Sequence, residues 1–268
     1  MARILAVTNQ KGGVGKTTTA VNLSACLAEL GQRVLMVDLD PQGNATTGCG
    51  IVKREALPTV YQILIGNSTF EKARLSTEFG FDILPANREL AGAEVELIEM
   101  EGREFRLRDA LSPALGGYDF ILMDCPPALN MLTVNGLVAA RAVMIPMQCE
   151  YYALEGLSDL VATLKKVRAK LNPNLEIEGL LRTMFDPRST LTQQVANELV
   201  EHFGDKVYRT IIPRNVRLAE APSYGKPVIA FDKLSKGALA YSALAEELLE
   251  RGGAACSTTA AAEQGEQA

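Results

Sequence analysis

Short apolar runs alternate along the chain with longer stretches in which apolar residues recur every three or four positions. The short runs are continuous rather than alternating, as in "FDILP" and "AVMIPM". Strands that are buried on both faces have this composition, so the runs predict a parallel sheet covered by helices. The predicted strands are 4–8, 34–40, 81–85, 118–124, 142–147, 177–185 and 207–213.

Helical periodicity is clearest at Thr17–Leu30 and at Leu154–Leu171, where leucines and valines fall on one face. Strand–helix alternation of this length predicts a doubly wound α/β fold, with a mostly parallel sheet and helices on both faces. The ligand is expected at the carboxyl ends of the strands. Further helices are predicted at 88–99, 103–111, 130–140, 190–203 and 236–251.

The composition is that of an ordinary globular protein. Of the 268 residues, 47% are hydrophobic and 22% charged, and a single domain is expected at 1–251. Residues 252–268 have no large apolar side chain to bury and are predicted to be a disordered tail. No apolar run approaches the roughly 18 residues of a membrane span, and no signal-peptide core is present. A cytoplasmic location is therefore expected.

Cysteine, histidine and net charge exclude several classes of function. The five cysteines are far apart and odd in number, which favours neither a disulfide framework nor a zinc site. The single histidine, His202, excludes Ser/His and Cys/His catalysis. The net charge of −5 does not by itself suggest a nucleic-acid-binding protein, so that role would require a local basic patch.

A glycine-rich loop, "NQKGGVGKTTTAVNL" at 9–23, lies between the first predicted strand and the first predicted helix. The usual phosphate loop is G-x-x-x-x-G-K-[ST], but Gln10 stands where its first glycine belongs. Such a loop turns backbone N–H groups toward a phosphate, and the helix N-terminus adds positive potential. By this mechanism Lys16 contacts the β- and γ-phosphates and the Thr17 hydroxyl ligates Mg²⁺. The mechanism leaves Lys11 without a role.

Three aspartates lie at or near the ends of predicted strands. Asp38 and Asp40 end the run "VLMVDLD" and, as same-side neighbours in a strand, can point together toward the phosphate loop. Asp124 ends "FILMD", an arrangement in which a strand-end carboxylate orients Mg²⁺ directly or through water. A carboxylate beside Mg²⁺ and phosphate is held anionic by the metal, so we expect Asp38 and Asp40 to have positioning roles rather than to act as strong bases.

Residues 11–18, K-G-G-V-G-K-T-T, resemble the deviant Walker A motif of the ParA/MinD family of P-loop ATPases. The resemblance implies a P-loop NTPase fold, ATP hydrolysis as the activity, and ATP and Mg²⁺ as cofactors. It also implies that Lys11 reaches across an ATP-bound sandwich homodimer to the other subunit's phosphates, as an arginine finger does. The nucleotide-binding residues that it implies are Lys11, Gly12, Gly13, Val14, Gly15, Lys16, Thr17 and Thr18.

The stretch D-L-D-P-Q-G-N at 38–44 resembles the switch I segment of the same family. By that resemblance Asp40 positions or activates the attacking water, while Asp38 supports it and the Mg²⁺ shell. The implied catalytic residues are Lys11, Lys16 and Asp40, and the implied metal residues are Thr17, Asp38 and Asp124.

The resemblance extends through the second half of the chain, where it is to the Soj-like, chromosome-partitioning branch. This branch implies ATP-dependent, sequence-independent binding to nucleoid DNA, and release when a ParB-like centromere-binding protein stimulates hydrolysis. By their position after the later strands, Met184 and Pro213 are candidates to flank the adenine. The similar segments are "CEYYALEGL" (149–157), "TMFDPRSTLTQQV" (183–195), "IIPRNVRLAEAPSYGKPV" (211–228) and "SKGALAYSALAEELL" (235–249).

A basic segment lies between Pro213 and Gly237. It contains five basic and two acidic side chains, a net charge of +3 in a chain whose net charge is −5. Such a patch, duplicated across a dimer, can neutralise several phosphates without reading bases. The family resemblance makes Arg188, Arg217 and Lys236 the expected DNA contacts.

Three other classes of function would need sequence features that differ from those observed. A MinD-type membrane-associated switch needs a basic amphipathic helix at the C-terminus, and "CSTTAAAEQGEQA" has no basic residue, so no membrane partner is expected. ATP-dependent ligase chemistry or cluster carriage needs a substrate pocket or clustered cysteines, and Cys125 alone is not a cluster cage. A bacterial tyrosine kinase would have a tyrosine-rich tail, but no tyrosine follows Tyr241.

Overall fold

The computed structural model describes residues 2–265, with side chains described as far as residue 252. Within that range one sheet contains eight strands, β1 to β8 in chain order: Arg3–Val7, Val34–Asp38, Leu75–Ser76, Asp82–Leu84, Phe120–Asp124, Ala142–Met147, Glu176–Phe185 and Val207–Pro213. The same range contains twelve α-helices, α1 to α12: Lys16–Glu29, Asn44–Gly48, Val60–Leu64, Phe70–Ala73, Leu90–Glu96, Arg106–Leu111, Met131–Ala139, Ala153–Lys170, Thr190–Phe203, Val216–Glu220, Val228–Phe231 and Lys236–Gly265.

The sheet has the strand order β3-β4-β2-β5-β1-β6-β7-β8, and its neighbours are parallel except for β3 with β4. β1 is central, paired with β5 on one edge and with β6 on the other. Val7 and Asp38 both lie beside Asp124 in register, so the carboxyl ends of β1, β2 and β5 meet. The predicted doubly wound, mostly parallel sheet is confirmed.

Both faces of the sheet are covered, which explains why the apolar runs in the sequence are continuous. On β2, Leu35 and Val37 belong to one apolar core, whereas Val34 and Met36 belong to the other. This alternation follows the two-residue period of a strand. Side chains of α3 to α9 complete the first core, and side chains of α1, α2 and α10 to α12 complete the second.

The structure adds short elements that the sequence pattern did not predict. β3 has two residues, and α2, α3, α4, α10 and α11 have four or five each, too few to display a period. The last helix, α12, begins at Lys236 as predicted but continues past the predicted end at 251. The division into a domain at 1–251 and a disordered tail at 252–268 stays a prediction, because side chains from 253 onward and all of 266–268 lie outside the described residues.

Candidate nucleotide and magnesium site

The glycine-rich loop connects the carboxyl end of β1 to the start of α1. Gly13 and Gly15 have φ values of 75° and 88°, left-handed conformations that favour glycine over residues with a Cβ. Gly15 is the residue directly before α1. The first turn of a helix leaves its N–H groups without intrahelical partners, so this end of α1 is suited to bind an anion.

Side chains from outside the motif hold the loop in place. Thr183 in β7 donates a hydrogen bond from Oγ1 to the carbonyl oxygen of Val14, at 2.8 Å. Asn9 accepts one from the backbone N of Lys11 at 3.0 Å and donates another to the carbonyl oxygen of Pro146 at 2.9 Å. Sequence reasoning did not identify Asn9 or Thr183, because most of the groups that they join are distant in the chain.

Lys16 lies inside the loop. Its side chain is buried, and Nζ donates to the carbonyl oxygen of Lys11 at 3.0 Å. Burial lowers the pKa of this ammonium group, while the charges of Asp124 and Asp40 oppose that shift. The predicted lysine and two of the predicted aspartates are therefore close enough to interact.

Asp124 supplies the observation that tests whether a metal ion fits. The residue is buried, and neither carboxylate oxygen has a hydrogen-bond partner among the described residues. Burial and the neighbouring charge of Asp38 raise the pKa of Asp124 well above its ordinary value, although the Thr17 side chain is near enough to oppose that shift. A cation would compensate these orphaned oxygens, and Mg²⁺ typically takes only one or two carboxylates from a protein, with water and phosphate oxygens completing its shell. Asp124, with Thr17 at the start of α1, would hold it.

Asp38 differs from Asp124 in having both oxygens occupied. Oδ1 accepts a hydrogen bond from the backbone N of Asp40 at 3.1 Å, and Oδ2 accepts two from Thr46. β2 ends at Asp38, so Asp40 lies beyond the strand, and the expected strand-neighbour arrangement of the two aspartates is wrong. The turn begins after Asp40, at residues 41–42, and Asp40 is partly exposed. This geometry favours a supporting role for Asp38 over direct contact with the metal.

A cavity of about 180 Å³ adjoins the loop. Met184 and Pro213, the predicted adenine neighbours, line it together with Gly15 and Thr18 of the loop. Met184 has φ of 47°, an uncommon conformation for a residue with a side chain, and such conformations cluster at ligand sites. The amide Nε2 of Gln148 lies 2.9 Å from the Met184 sulfur. The cavity therefore adjoins the loop that is predicted to bind the phosphates, at the place where the adenine is expected.

Comparisons with known proteins agree with this geometry. A family model described as an AAA domain matches residues 2–177. The sporulation initiation inhibitor protein Soj of Bacillus subtilis is 53% identical over 94% of this chain and 100% of its own. The chromosome partitioning protein ParA of Caulobacter vibrioides (strain NA1000) is 52% identical over 93% of this chain and 94% of its own. The chain belongs to the ParA/Soj family of P-loop ATPases.

A solved structure of a more distant protein adds the cofactors. Cobyrinic acid a,c-diamide synthase from Mycobacterium smegmatis, with bound ADP and magnesium, is 39% identical and has a TM-score of 0.83. The match covers 94% of this chain and 96% of that one. As a ParA/Soj ATPase, the present protein uses ATP and Mg²⁺.

The residues described above have different expected roles in ATP hydrolysis. Bound Mg²⁺ neutralises charge on the phosphate oxygens. The loop N–H groups and Lys16 would bind and orient the phosphates, and Thr17 and Asp124 would hold the metal. Burial of Lys16 and Asp124 excludes water from their contacts, which strengthens the electrostatic interactions.

The lysine that is predicted to act across the dimer and the predicted DNA contacts lie at the surface. Lys11 is 45% exposed and pairs with Glu150, Nζ to Oε2, at 2.5 Å. Arg188 is 88% exposed and pairs with Asp186 at 2.9 Å. Arg217 in α10 pairs with Glu220 at 2.8 Å and Asp232 at 3.2 Å, and Lys236 is exposed at the start of α12.

Proposed function

We propose that this ATPase is a DNA-partitioning switch. Its ATP-bound sandwich dimer binds DNA without sequence preference and is released when a ParB-like partner stimulates hydrolysis. The observation that carries the proposal is the position of Lys11. The ammonium group of Lys11 pairs with Glu150 at the surface, whereas Lys16 occupies the interior of the loop. An exposed second lysine beside the phosphate loop is suited to contact phosphates held by another subunit.

The proposed dimer links nucleotide state to location. ATP must bind the dimer more tightly than the monomer to shift the population toward it. Each closed dimer gains two such lysine contacts, and these are lost when the terminal phosphate is cleaved and leaves. DNA binding by the dimer would place the protein on the nucleoid in the cytoplasm, and hydrolysis would release it.

Mixing two inactive variants tests whether Lys11 acts in trans. We expect Lys11→Ala and Lys16→Ala each to abolish turnover, because each lacks one cation at every site. Their equimolar mixture should recover about a quarter of native turnover, since random pairing makes half of the dimers mixed and each mixed dimer has one complete site of two. The rate of phosphate release measures the recovery.

The matched control replaces the Lys16→Ala partner with the double variant Lys11→Ala, Lys16→Ala. This mixture contains no subunit that can donate Lys11 and should remain inactive. Recovery in the control, or no recovery in the first mixture, would contradict action in trans.

The proposed DNA surface combines the end of β7 with the segment after β8. Arg188 and the charge of Arg214 both act on Asp186, whose pKa is lowered to about 2, chiefly by hydrogen bonds from Arg188. Phe185 lies beside Pro213 in register, so Arg188 and Arg214 follow neighbouring strands at the carboxyl edge of the sheet, and Arg217 comes next in α10. Exposed guanidinium groups exchange a carboxylate for a phosphate at small cost, because surface ion pairs are weak.

Arg188→Ala is expected to weaken DNA binding equally on unrelated duplexes and to lower the slope of log K against log salt by about one unit for each subunit of the bound dimer, or about two units in all. The cause is the loss of one phosphate contact per subunit. Binding is measured with ATP at several salt concentrations. Arg209→Ala is the matched control, because Arg209 is also exposed and ion-paired but lies near the other end of its strand. An unchanged slope for Arg188→Ala, or an equal fall for the control, would contradict the surface.

Binding to a nonspecific duplex with ATP, with ADP and without nucleotide tests the proposal as a whole. Only ATP should support binding, and a ParB-like partner should release the protein. A MinD-type switch would instead sediment with anionic vesicles in the presence of ATP. In the part of the chain that the structure describes, no helix combines the length and apolar character needed to cross a bilayer.

A further inference from the structure

A buried hydrogen-bond chain joins the end of β2 to the start of α2 and includes Thr46. Thr46 is fully buried. It donates twice to Oδ2 of Asp38, from its backbone N at 2.8 Å and from its hydroxyl Oγ1 at 2.7 Å. The same hydroxyl oxygen accepts a hydrogen bond from the backbone N of Ala86 at 2.9 Å. Thr46 thus joins the Asp38 carboxylate to the connection that follows β4.

The chain of hydrogen bonds continues from Asp38 to Asp40. Its second oxygen, Oδ1, accepts from the backbone N of Asp40 at 3.1 Å, and Oδ1 of Asp40 accepts from the backbone N of Gln42 at 2.9 Å. The orientation of the Asp38 carboxylate is set by the two donors on Thr46. That orientation in turn decides where the backbone of Asp40 is held.

We propose that Thr46 is a positioning residue for ATP hydrolysis. Through Asp38 it fixes the backbone at Asp40 and therefore the carboxylate that positions the attacking water. This inference rests on the role proposed for Asp40. The physical reason is that a buried carboxylate with one donor removed reorients or attracts water, and that a small displacement of a positioning group lowers turnover strongly.

Valine at position 46 tests the inference, because it keeps the shape of threonine and removes the hydroxyl. Thr46→Val is expected to lower kcat by about 10- to 100-fold, the scale of one lost charge-assisted hydrogen bond at a positioned group. The affinity for a fluorescent ATP analogue with Mg²⁺ should change little, because Thr46 is not placed in the phosphate loop. Thr46→Ser keeps the hydroxyl and should restore most of the turnover.

Thr47→Val is the matched control in the next position of the same helix. The Thr47 hydroxyl donates to the carbonyl oxygen of Gly43 at 3.1 Å and does not reach Asp38. This variant should keep native turnover. An equal loss of turnover in Thr47→Val would show that any change in α2 is disruptive and would overturn the inference.

Hydrogen exchange in the nucleotide-free protein gives a readout that does not depend on activity. The amide of Asp40 should exchange faster in Thr46→Val than in native protein, and at the native rate in Thr46→Ser and Thr47→Val. Unchanged exchange at Asp40 in Thr46→Val overturns the inference, as does a loss of ATP affinity parallel to the loss of kcat. Full turnover in Asp40→Ala would contradict the role proposed for Asp40 in hydrolysis. Exchange at the Asp40 amide distinguishes this outcome from a wrong inference about Thr46, because the exchange rate does not depend on turnover.

Discussion

Replacing Asp40 with alanine is expected to lower ATP turnover by on the order of 10²- to 10³-fold while leaving MgATP binding in place. Asp40 is close enough to Lys16 for its charge to oppose the effect of burial on the lysine pKa. It is partly exposed, beyond the end of β2, where a water molecule can reach it. The predicted phosphate contacts lie in the loop and the predicted metal contacts are Thr17 and Asp124, so loss of Asp40 should remove neither.

Sedimentation velocity separates the two effects expected of Asp40→Ala. With MgATP the variant should accumulate as a dimer, because the nucleotide is bound and not hydrolysed. Asp119→Ala serves as the control, since Asp119 is an ion-paired aspartate at the opposite end of β5 from Asp124. Native turnover in Asp40→Ala would show that another group positions the water, and a monomer with saturating MgATP would contradict the proposed dimer.

Replacing Glu247 with alanine is expected to reduce the free energy of unfolding by roughly 3 kcal/mol. Glu247 in α12 is 4% exposed and accepts hydrogen bonds from the backbone N of Arg209 at 2.9 Å and of Thr210 at 2.8 Å. Both donors belong to the edge strand β8, where its register with β7 is irregular. Arg251 also donates to the carboxylate, at 2.8 Å. Alanine would leave these donors without their acceptor.

Urea unfolding measures the effect, and Glu250→Ala provides the control. Glu250 is on the same helix and also pairs with Arg209, but it is 66% exposed. An exposed pair contributes little, so this variant should lose no more than about 1 kcal/mol. Equal losses in the two variants would contradict the special role of Glu247.

The stability difference between native protein and Glu247→Ala should also depend on pH. Burial raises the pKa of Glu247. The hydrogen bonds from the backbone of Thr210 and Arg209 and from the side chain of Arg251 lower it by a larger amount, so the net shift is downward. A carboxyl whose folded pKa is below its unfolded value, about 4.3, stabilises the protein above that value. The difference should therefore be complete at neutral pH and should shrink as acid protonates the folded carboxyl. A difference that is constant down to pH 2 would contradict this account.

The sheet and the phosphate loop could be predicted from the sequence because their signals are local. The apolar runs are continuous because both faces of each strand are buried, and the glycines of the loop adjoin the strand and helix that they connect. Asp124 could be placed for the same reason, since it ends a strand beside β1.

The supporting contacts could not be predicted, because they depend on packing between distant segments. Thr183 is 169 residues from Val14, and Ala86 is 40 residues from the hydroxyl of Thr46 that it binds. The end of β2 at Asp38 was also missed, because a run of apolar and acidic residues does not reveal where a strand stops. Glu247 likewise looks like an ordinary surface residue of a helix until the edge of β8 is seen.

The central place of β1 limits how this ATPase can change shape. Since β1 is hydrogen-bonded along both edges, a shift of that strand would disrupt two ladders at once. The phosphate loop is thus joined to a strand that is held by hydrogen bonds on both sides, and we expect the connection that follows β5 to accommodate the difference between nucleotide states. We therefore expect ATP to bind to a loop whose backbone changes little, while the short segment that follows Asp124 adjusts to the nucleotide state.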